Sequence, residues 1–400
     1  IGPEPITGST RMKSGSATKI MLDMVVANVF LLLIDKQEKP EFTKMLEFYQ
    51  KSLDEVVYDE DVKINIGKLI DCGANSLRNS RGNGGSISYL SDSPRLGFLC
   101  CMDASECVPT YGATKTDIRG FITVSENGEY AGNLKKDSNK SWFNFIAECQ
   151  SVWSANLIES LAKNAINNNN SFPNEYCLIV QIDAGHTTSE KNDLMKLTTT
   201  DSKCIQDLIT SKNNKAKMAK INLNLNDERK SVECSENEVC FKKLRTLLEN
   251  AQNELNSYFS DCVQEFILKL VLNSISTGAH ILIGKTYENI MVDLKVSNVK
   301  LYWRAVGILN KLCNKNAATA IKEENLELSL LKSIYEIDND EDLGSIDKTN
   351  INFHVEMAAN KQLIVPKAII MAIKHCKYSV ANETLNKSNN SVRGCILKLL

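Results

Sequence analysis

The sequence alternates short apolar runs with longer helical segments, and this pattern limits the folds that the chain can adopt. Two short apolar runs, at 86–90 and 96–102, are bounded by Gly, Pro, Asp or Ser and have the length of a strand, and further strands are predicted at 176–182 and near 220–225. Helical patterns lie between them, at 142–165, 191–197 and 204–211. Strands separated by helices of this length predict a parallel, doubly wound α/β sheet, with ligand loops at the carboxyl ends of its strands.

Helical patterns also flank this α/β region. Hydroxyl-bearing residues precede an apolar run at 16–33, which is how a helix begins, and a second helix is predicted from Glu41 to Val57. A long helical pattern runs from about Cys240 to Ser276, and residues 299–400 alternate helical segments with Asn- and Asp-rich joints. The last hundred residues are therefore predicted to be mostly α-helical.

Composition excludes several classes of partner. The chain has 400 residues, 43% of them apolar, which is enough for two or three domains. The net charge is −2 and basic residues are spread evenly, so neither nucleic acid nor an anionic membrane is an expected partner. The apolar stretch Ile20 to Ile34 contains Asp23 and is shorter than the roughly 20 residues of a spanning helix, so we expect a buried helix.

The cysteines indicate a reducing compartment. All 13 are irregularly spaced and none forms a CxxC pair, which favours free, buried thiols over disulfides. Residues 1–20 lack the basic start, apolar run and cleavage site of a signal peptide. We therefore expect a cytoplasmic or nuclear location, and no cofactor or metal is predicted.

A segment rich in glycine and hydroxyl groups at 7–16 is the clearest candidate for anion binding. Helix amino termini present unpaired N–H donors and a partial positive charge, and Arg11 and Lys13 add full charges. Alternatively, Ser9 and Thr10 only cap the helix, while the two basic side chains are solvated or pair with Glu4. The residues alone leave both interpretations open.

Three blocks carry a family resemblance. Residues 2–19 (GPEPITGSTRMKSGSATK) resemble a signature shared by N-acetylmuramic acid 6-phosphate etherases and glucokinase regulatory proteins, and residues 276–294 (STGAHILIGKTYENIMVDL) resemble a segment of both families. Residues 102–113 (MDASECVPTYGA) with 117–121 are similar to the second sugar isomerase (SIS) domain of the regulatory proteins. In a single-domain etherase the first two blocks lie close together, whereas here more than 250 residues separate them. The chain is therefore identified as a member of the glucokinase regulatory protein family.

The resemblance implies three parts: the C-terminal part of a first SIS domain at 1–57, a complete second SIS domain at 58–298, and a helical lid domain at 299–400. Because Ile1 falls inside the first block, we expect the preceding part of the first SIS domain to be missing. Apolar helix faces would then lie partly uncovered. The residues concerned are Met21, Met24, Val25 and Phe30.

The resemblance also implies ligand-binding roles. Lys285 matches a lysine that meets the phosphate of a bound fructose phosphate, and Glu106 matches a residue that contacts the ligand; Ser9, Thr10 and Arg11 complete the predicted set. An ammonium suits a phosphate, and a carboxylate accepts hydrogen bonds from sugar hydroxyls. The alternatives are that Lys285 is a surface lysine and that Glu106 only stabilises a strand-to-loop turn. No catalytic residue is predicted.

Other conspicuous residues receive structural interpretations. The second domain has Ser91 to Gly97 where a phosphate loop would lie, but Pro94 removes an N–H donor, so no phosphate cradle is expected there. His280 is predicted to be a core histidine. His375 and Cys376 are adjacent on a predicted helix and so cannot share one face as base and nucleophile.

The function implied by the resemblance is that of a regulator rather than an enzyme. It would bind fructose 6-phosphate or fructose 1-phosphate and inhibit a glucokinase or another hexokinase, with the ligand biasing a two-state element. Two alternatives stay open: a lyase resembling N-acetylmuramic acid 6-phosphate etherase, and a sugar-phosphate sensor with another partner.

Overall fold

A computed structural model of the chain describes residues 13–34, 39–79, 85–91, 93–114, 116–122, 177–183, 217–223, 238–315, 320–339, 341–388 and 391–398. They form two compact units. The first contains the described parts of 13–105 and 116–279, and the second contains 106–114 together with the described residues from 280 onward. The three-part division at 57 and 298 stays a prediction, since these units divide the chain at other positions.

The first unit contains a five-stranded sheet with the order β2-β1-β3-β4-β5, in which every neighbouring pair is parallel. Tyr89 at its centre lies opposite Gly120 on one side and Val180 on the other. Strand order reverses direction between β1 and β3, which is the switch point of a doubly wound sheet. The predicted fold class is therefore confirmed. The strands are β1 Ile87–Ser91, β2 Ile118–Ile122, β3 Leu178–Asp183, β4 Lys217–Asn222 and β5 Glu238–Cys240.

Within the described residues, six helices accompany this sheet in sequence, and the last residues of α4 and α6 belong to the second unit. The helix predicted from Glu41 to Val57 is present as α2 followed by a π-helical turn at Ser52–Val57. The helices are α1 Lys13–Leu33, α2 Phe42–Lys51, α3 Glu60–Arg78, α4 Pro94–Tyr111, α5 Leu244–Glu254 and α6 Ser257–Leu282.

Two predictions of element type need correction. Residues 96–102 were predicted to be a strand, but they lie in α4, because the buried positions Leu96, Cys100, Ala104 and Cys107 follow helical spacing. The single helix predicted from Cys240 to Ser276 is two helices, separated where Asn256 begins α6 by accepting a hydrogen bond from the amide of Phe259 (2.8 Å). The helices predicted at 142–165, 191–197 and 204–211 lie outside the described residues.

Helix α1 is much more exposed than a buried helix. Its inner side consists of Met24, Ala27 and Leu31, so Met24 is covered, contrary to the prediction. Phe30 is half-buried and lies 4.8 Å from the ring of Tyr258. The large apolar side chains that remain exposed are Met21, Leu22, Val25, Val26, Val29, Leu32, Leu33 and the following Ile34.

The same helix is the one described helix that is long and apolar enough, by length and composition, to cross a membrane. The qualifying segment is Gly15–Leu33. The absence of a membrane partner therefore stays a prediction.

The second unit is helical, as predicted for the end of the chain. Helix α10 is buried all round from Ile364 to Ala372, which makes it the central helix of this unit. It packs against α7, α8 and α11. The elements are the hairpin β6 Thr286–Tyr287 and β7 Ile290–Met291, α7 Val299–Cys313, α8 Glu323–Tyr335, a 3₁₀ turn Glu341–Ser345, α9 Ile351–Ala358, α10 Ile364–Lys374, α11 Tyr378–Lys387 and α12 Val392–Leu397.

Candidate functional site

Lys285 lies in the turn between α6 and β6, and its backbone is fixed on both sides. Gly284 has a φ of 82°, a left-handed conformation that glycine adopts without strain and that ends the helix. The amide of Lys285 then donates to the carbonyl of His280 (3.0 Å), and its own carbonyl accepts from the amide of Val292 (3.1 Å). Its position is therefore set by the helix end and by the hairpin together.

The ammonium of Lys285 forms an ion pair with Asp293. The two side chains are only 12% and 3% exposed, so Lys285 is not a surface lysine. Asp293 also packs against Gly112, where a Cβ atom would come within 2.6 Å of the Asp293 carbonyl oxygen. Gly112 has a φ of 61°, so glycine is favoured there by both space and backbone conformation.

Arg393 at the start of α12 holds the turn that carries Lys285. Its guanidinium donates to the carbonyls of Ile281 and Thr286 (both 2.8 Å) and to the Thr286 hydroxyl (2.9 Å). The amide of Arg393 also donates to the carbonyl of Gly284 (3.1 Å). Arg393 is thus a positioning residue for this turn, and no local pattern indicates it because it lies more than a hundred positions away in the chain.

Glu106 lies on α4, one and a half helical turns before Tyr111, and is half-buried. Tyr111 stacks on His280 with ring centroids 4.3 Å apart, and the carbonyl of Pro109 accepts from the amide of Lys295 (3.3 Å). The end of this helix is therefore attached to the segment that carries Lys285. Glu106 lies in a helix and not at the strand-to-loop turn of the alternative interpretation.

Glu106 and Lys285 belong to the same compact unit, but their ligand-binding roles stay predictions. Ser9, Thr10 and Arg11 lie outside the described residues. His280 is buried, as expected of a core histidine. Within the described ranges, no group of three His, Cys, Asp or Glu residues is placed to hold a metal ion.

The loop after β1 lies at the switch point of the sheet, where a doubly wound fold usually binds its ligand. The hydroxyl of Ser91 accepts from the amide of Ser93 (3.2 Å) and donates to its carbonyl (3.1 Å). Pro94 begins α4 and offers no N–H group. These polar groups are used within the loop, which supports the prediction that it forms no phosphate cradle.

Arg95, the second residue of α4, directs its side chain to α6. Its guanidinium donates to the carboxylates of Asp261 and Glu265 (both 3.0 Å) and to Gln264 (2.6 Å). No local pattern in the sequence predicts these contacts. The positive charge of Arg95 is therefore balanced by two carboxylates of α6.

Lys19 of α1 extends this network of charges. It bonds Glu265 (2.7 Å) and Asp23 (2.8 Å). Burial lowers the pKa of Lys19, but the two carboxylates outweigh it, so the pKa is raised. Burial raises the pKa of Asp23, against the opposing effect of Lys19. The network therefore holds α1 to α6 through charged groups.

A doubly wound parallel α/β unit together with a mostly helical unit that carries one short hairpin defines the class of this protein. Residues 288–396 match the family model for the C-terminal lid domain of glucokinase regulatory protein. The chain is 26% identical to glucokinase regulatory protein from Xenopus laevis over 416 residues, covering 99% of this chain and 57% of the relative. For the protein from Mus musculus the identity is 27% over 397 residues, covering 96% and 55%. The resemblance predicted from the three sequence blocks is confirmed.

N-acetylmuramic acid 6-phosphate etherases are also related. The chain is 28% identical to the etherase from Clostridium botulinum over 325 residues, which cover 80% of this chain and 88% of the relative. The chain spans a little over half the length of the regulatory proteins that it matches.

Proposed function

We propose that the protein is a sugar-phosphate-binding regulator that inhibits a glucokinase or a related hexokinase. The observation that carries this proposal is the similarity to glucokinase regulatory proteins along 96–99% of the chain, together with a matched lid domain. Fructose 6-phosphate and fructose 1-phosphate are the proposed ligands, and the cytoplasm or nucleus is the proposed location.

Lys285 is the residue that we propose meets the phosphate. An ammonium has three N–H donors, so Lys285 can keep one bond to Asp293 and direct the others to phosphate oxygens. Asp293 orients the amine, and Arg393 keeps the turn in place. Glu106 is proposed to accept hydrogen bonds from the sugar hydroxyls. A ligand held in this way regulates only if it binds one of two conformations more tightly than the other.

The proposal is tested by glucokinase inhibition and by calorimetry. We expect the protein to inhibit glucokinase, and we expect fructose 6-phosphate and fructose 1-phosphate to change that inhibition and to bind with measurable heat. The double variant Lys285→Gln with Asp293→Asn removes both charges but keeps a polar pair, so it should bind the esters at least tenfold more weakly. Inhibition of glucokinase that no fructose phosphate alters would contradict the proposed regulation.

Etherase activity is the second candidate, and the similarity over 88% of the Clostridium botulinum enzyme favours it. Such a lyase removes lactate from N-acetylmuramic acid 6-phosphate and needs a general acid and base beside the sugar. Release of lactate from this substrate should be measured with an authentic etherase in parallel. Turnover comparable to that of the authentic etherase would favour the lyase over the regulator as the function of this protein.

A further inference from the structure

A cleft of about 400 Å³ lies in the second unit, away from the residues of the proposed sugar-phosphate site. It is formed by one side of α8, the end of α10 and the residue before α11. Neither Lys285 nor Arg393 lines it. Its volume falls within the range of small-molecule sites, which run from roughly 300 to 1,000 Å³.

The lining of the cleft has a polar part and an apolar part. The basic side chains are Lys332, His375 and Lys377. Met371 and Ala372 of α10 are buried and form an apolar wall. Leu328 extends that wall from α8, whereas Ser329 adds a hydroxyl. An occupant with a charged head and an apolar body fits both parts.

Asp338 is the one acid among the described lining residues, and its charge is already compensated. Its carboxylate accepts from the amide (2.8 Å) and the hydroxyl (2.9 Å) of Ser379 at the amino terminus of α11. These bonds, with the nearby Lys377, hold the pKa of Asp338 below its ordinary value. A carboxylate at a helix amino terminus is also stabilised by the helix dipole.

His375 reaches the cleft through an unusual backbone conformation. It follows α10 with a φ of 48°, in the left-handed region that residues other than glycine adopt at some energetic cost. The helix therefore ends at Lys374, and the next three residues, His375, Cys376 and Lys377, all line the cleft. Two of these three side chains carry or can acquire a positive charge.

We propose that this cleft binds a small phosphate monoester with an apolar body. The phosphate would lie between Lys332, His375 and Lys377, where charge-assisted hydrogen bonds are strong. The apolar body would cover Met371, Ala372 and Leu328. This site does not depend on the proposed regulatory function, since it uses none of the residues assigned to that function.

Phenyl phosphate is the probe, with inorganic phosphate and phenol as its two halves. Calorimetry on the protein should show phenyl phosphate binding more tightly than either half. Lys377→Gln should weaken that binding about tenfold, the change expected for one charge-assisted hydrogen bond. Ser329→Phe leaves every charge in place but fills the cleft, so it should abolish binding.

Lys374→Gln is the matched control. Lys374 is exposed on the last turn of α10 and does not line the cleft, so this variant should bind phenyl phosphate like the unmodified protein. Circular dichroism and urea unfolding verify that each variant is folded. The proposal is wrong if phenyl phosphate does not bind, if inorganic phosphate binds equally well, if Lys374→Gln and Lys377→Gln act alike, or if folded Ser329→Phe still binds.

Discussion

Lys285 and Asp293 form an ion pair that is almost closed to water. Removing one member of such a pair leaves the other charged group without its partner in a place that solvates it poorly, whereas removing both avoids that penalty. The pair of Lys315 and Glu288 is a useful contrast, since both of its side chains are exposed. Water screens an exposed pair, which then contributes little to stability.

Lys285→Ala should lower the free energy of unfolding by about 3–5 kcal/mol. Lys285→Met with Asp293→Leu should recover most of that loss, because no unpaired charge remains. Urea unfolding followed by circular dichroism measures both values. Lys315→Ala is the control and should leave stability nearly unchanged; a similar loss in Lys315→Ala and Lys285→Ala would show that burial of the pair is unimportant.

Cys313 on α7 makes the folding stability of the protein depend on pH in the alkaline range. Burial raises its pKa from 9.0 to about 12, so the folded protein keeps the thiol protonated where the unfolded chain ionises. The stability that this provides is complete below pH 9 and is lost as the pH rises toward 12. Cys262 has a pKa of about 12, again mainly through burial, and acts with the same sign.

Above pH 9, Cys313 should lower the free energy of unfolding by about 1.4 kcal/mol per pH unit. Cys313→Ala should therefore show a shallower decline than the unmodified protein between pH 9 and 11. Urea unfolding at intervals of half a pH unit measures the two slopes, and measurements at pH 7–8 give the pH-independent cost of the substitution. Equal slopes would contradict this assignment.

For single residues, the sequence indicated which positions matter but not which other residues they contact. Lys285 and Glu106 were found through motif resemblance, and Lys285 proved to be paired with an acid eight positions later. Arg393 was missed because a hydrogen-bond donor to a distant turn has no local pattern. Arg95 lies in α4 and not in the predicted loop at 91–97, and its ion pairs with α6 depend on packing between remote segments.

Among the elements, α12 has only six residues and is held by its buried Val392, Cys395 and Ile396 together with one charged side chain, Arg393. Its hydroxyl cap comes from Ser391, which accepts from the amide of Gly394 (3.2 Å). Arg393 then connects it to the turn before β6 by three hydrogen bonds. A short helix is marginal by itself, so these hydrogen bonds and the buried apolar side chains together determine where it lies.

Arg393→Ala should lower the free energy of unfolding by roughly 3 kcal/mol, because several charged hydrogen bonds are lost together. Arg393→Lys should restore only part of it, since an ammonium cannot reproduce the planar fork. Lys398→Ala, an exposed residue at the end of the same helix, is the control. Urea unfolding measures the free energy of unfolding of the three variants. An Arg393→Ala variant as stable as the unmodified protein would show that Arg393 does not position this turn.

Strand β2 and helix α4 approach so closely that one position requires glycine. A Cβ atom at Gly120 would lie 2.4 Å from the amide nitrogen of Cys101 and 2.5 Å from the carbonyl carbon of Cys100. Both are backbone atoms, so they cannot move aside as a flexible side chain would. Gly307 on the exposed side of α7 has no heavy atom within 4 Å of the same position.

Gly120→Ala should therefore destabilise the protein by about 2 kcal/mol or more. Gly307→Ala should have the opposite sign and stabilise it by up to about 1 kcal/mol, because alanine favours a helix. Thermal unfolding of both variants under one set of conditions tests the contrast. The close approach would be refuted by a Gly120→Ala variant as stable as the original.

The alternation of runs predicted three of the five strands, β1, β3 and β4, but missed β2 and β5, and its failure at 96–102 has a physical cause. Seven consecutive apolar residues show no period, so their length and glycine suggested a strand. The helical period becomes visible only when Ala104, Cys107 and Tyr111 are included. The break at Asn256 was missed because a cap and a helix-interior asparagine look alike in one sequence.

For the whole molecule, the exposed apolar side of α1 is the surface that we expect to promote association in solution. Val25 and Val29 are about half exposed and lie one turn apart on this helix, among several other exposed aliphatic side chains. A continuous apolar patch binds hydrophobic dyes and promotes association. Ile64 on α3 is equally exposed and provides a comparison position on another helix.

The double variant Val25→Lys with Val29→Lys should reduce the fluorescence of a bound naphthalene-sulfonate dye several-fold. Ile64→Lys should change it little, since it does not interrupt the α1 patch. Sedimentation of the same samples should show less association for the double variant only. If all three proteins bind the dye equally, the exposed side of α1 is covered in solution.

The sequence predicted the doubly wound class and the helical end of the chain, because both depend on local period and element order. It did not predict that residues 106–114 belong to the same compact unit as the residues after 279. Membership in a unit depends on contacts such as those of Tyr111 with His280 and of Gly112 with Asp293. Such contacts join positions that are far apart in the chain, and no local pattern records them.

Because residues 106–114 and the residues from 280 onward form one compact unit, the chain cannot be divided at a single position into its two units. A fragment cut at residue 280 would leave behind the nine-residue strip that stacks on His280 and packs on Asp293. During translation at about 5–20 residues per second, that strip waits roughly ten to thirty seconds before its partners emerge. Truncation experiments must therefore carry both stretches, and a nascent chain stalled between them presents a helix end with nothing yet to pack on.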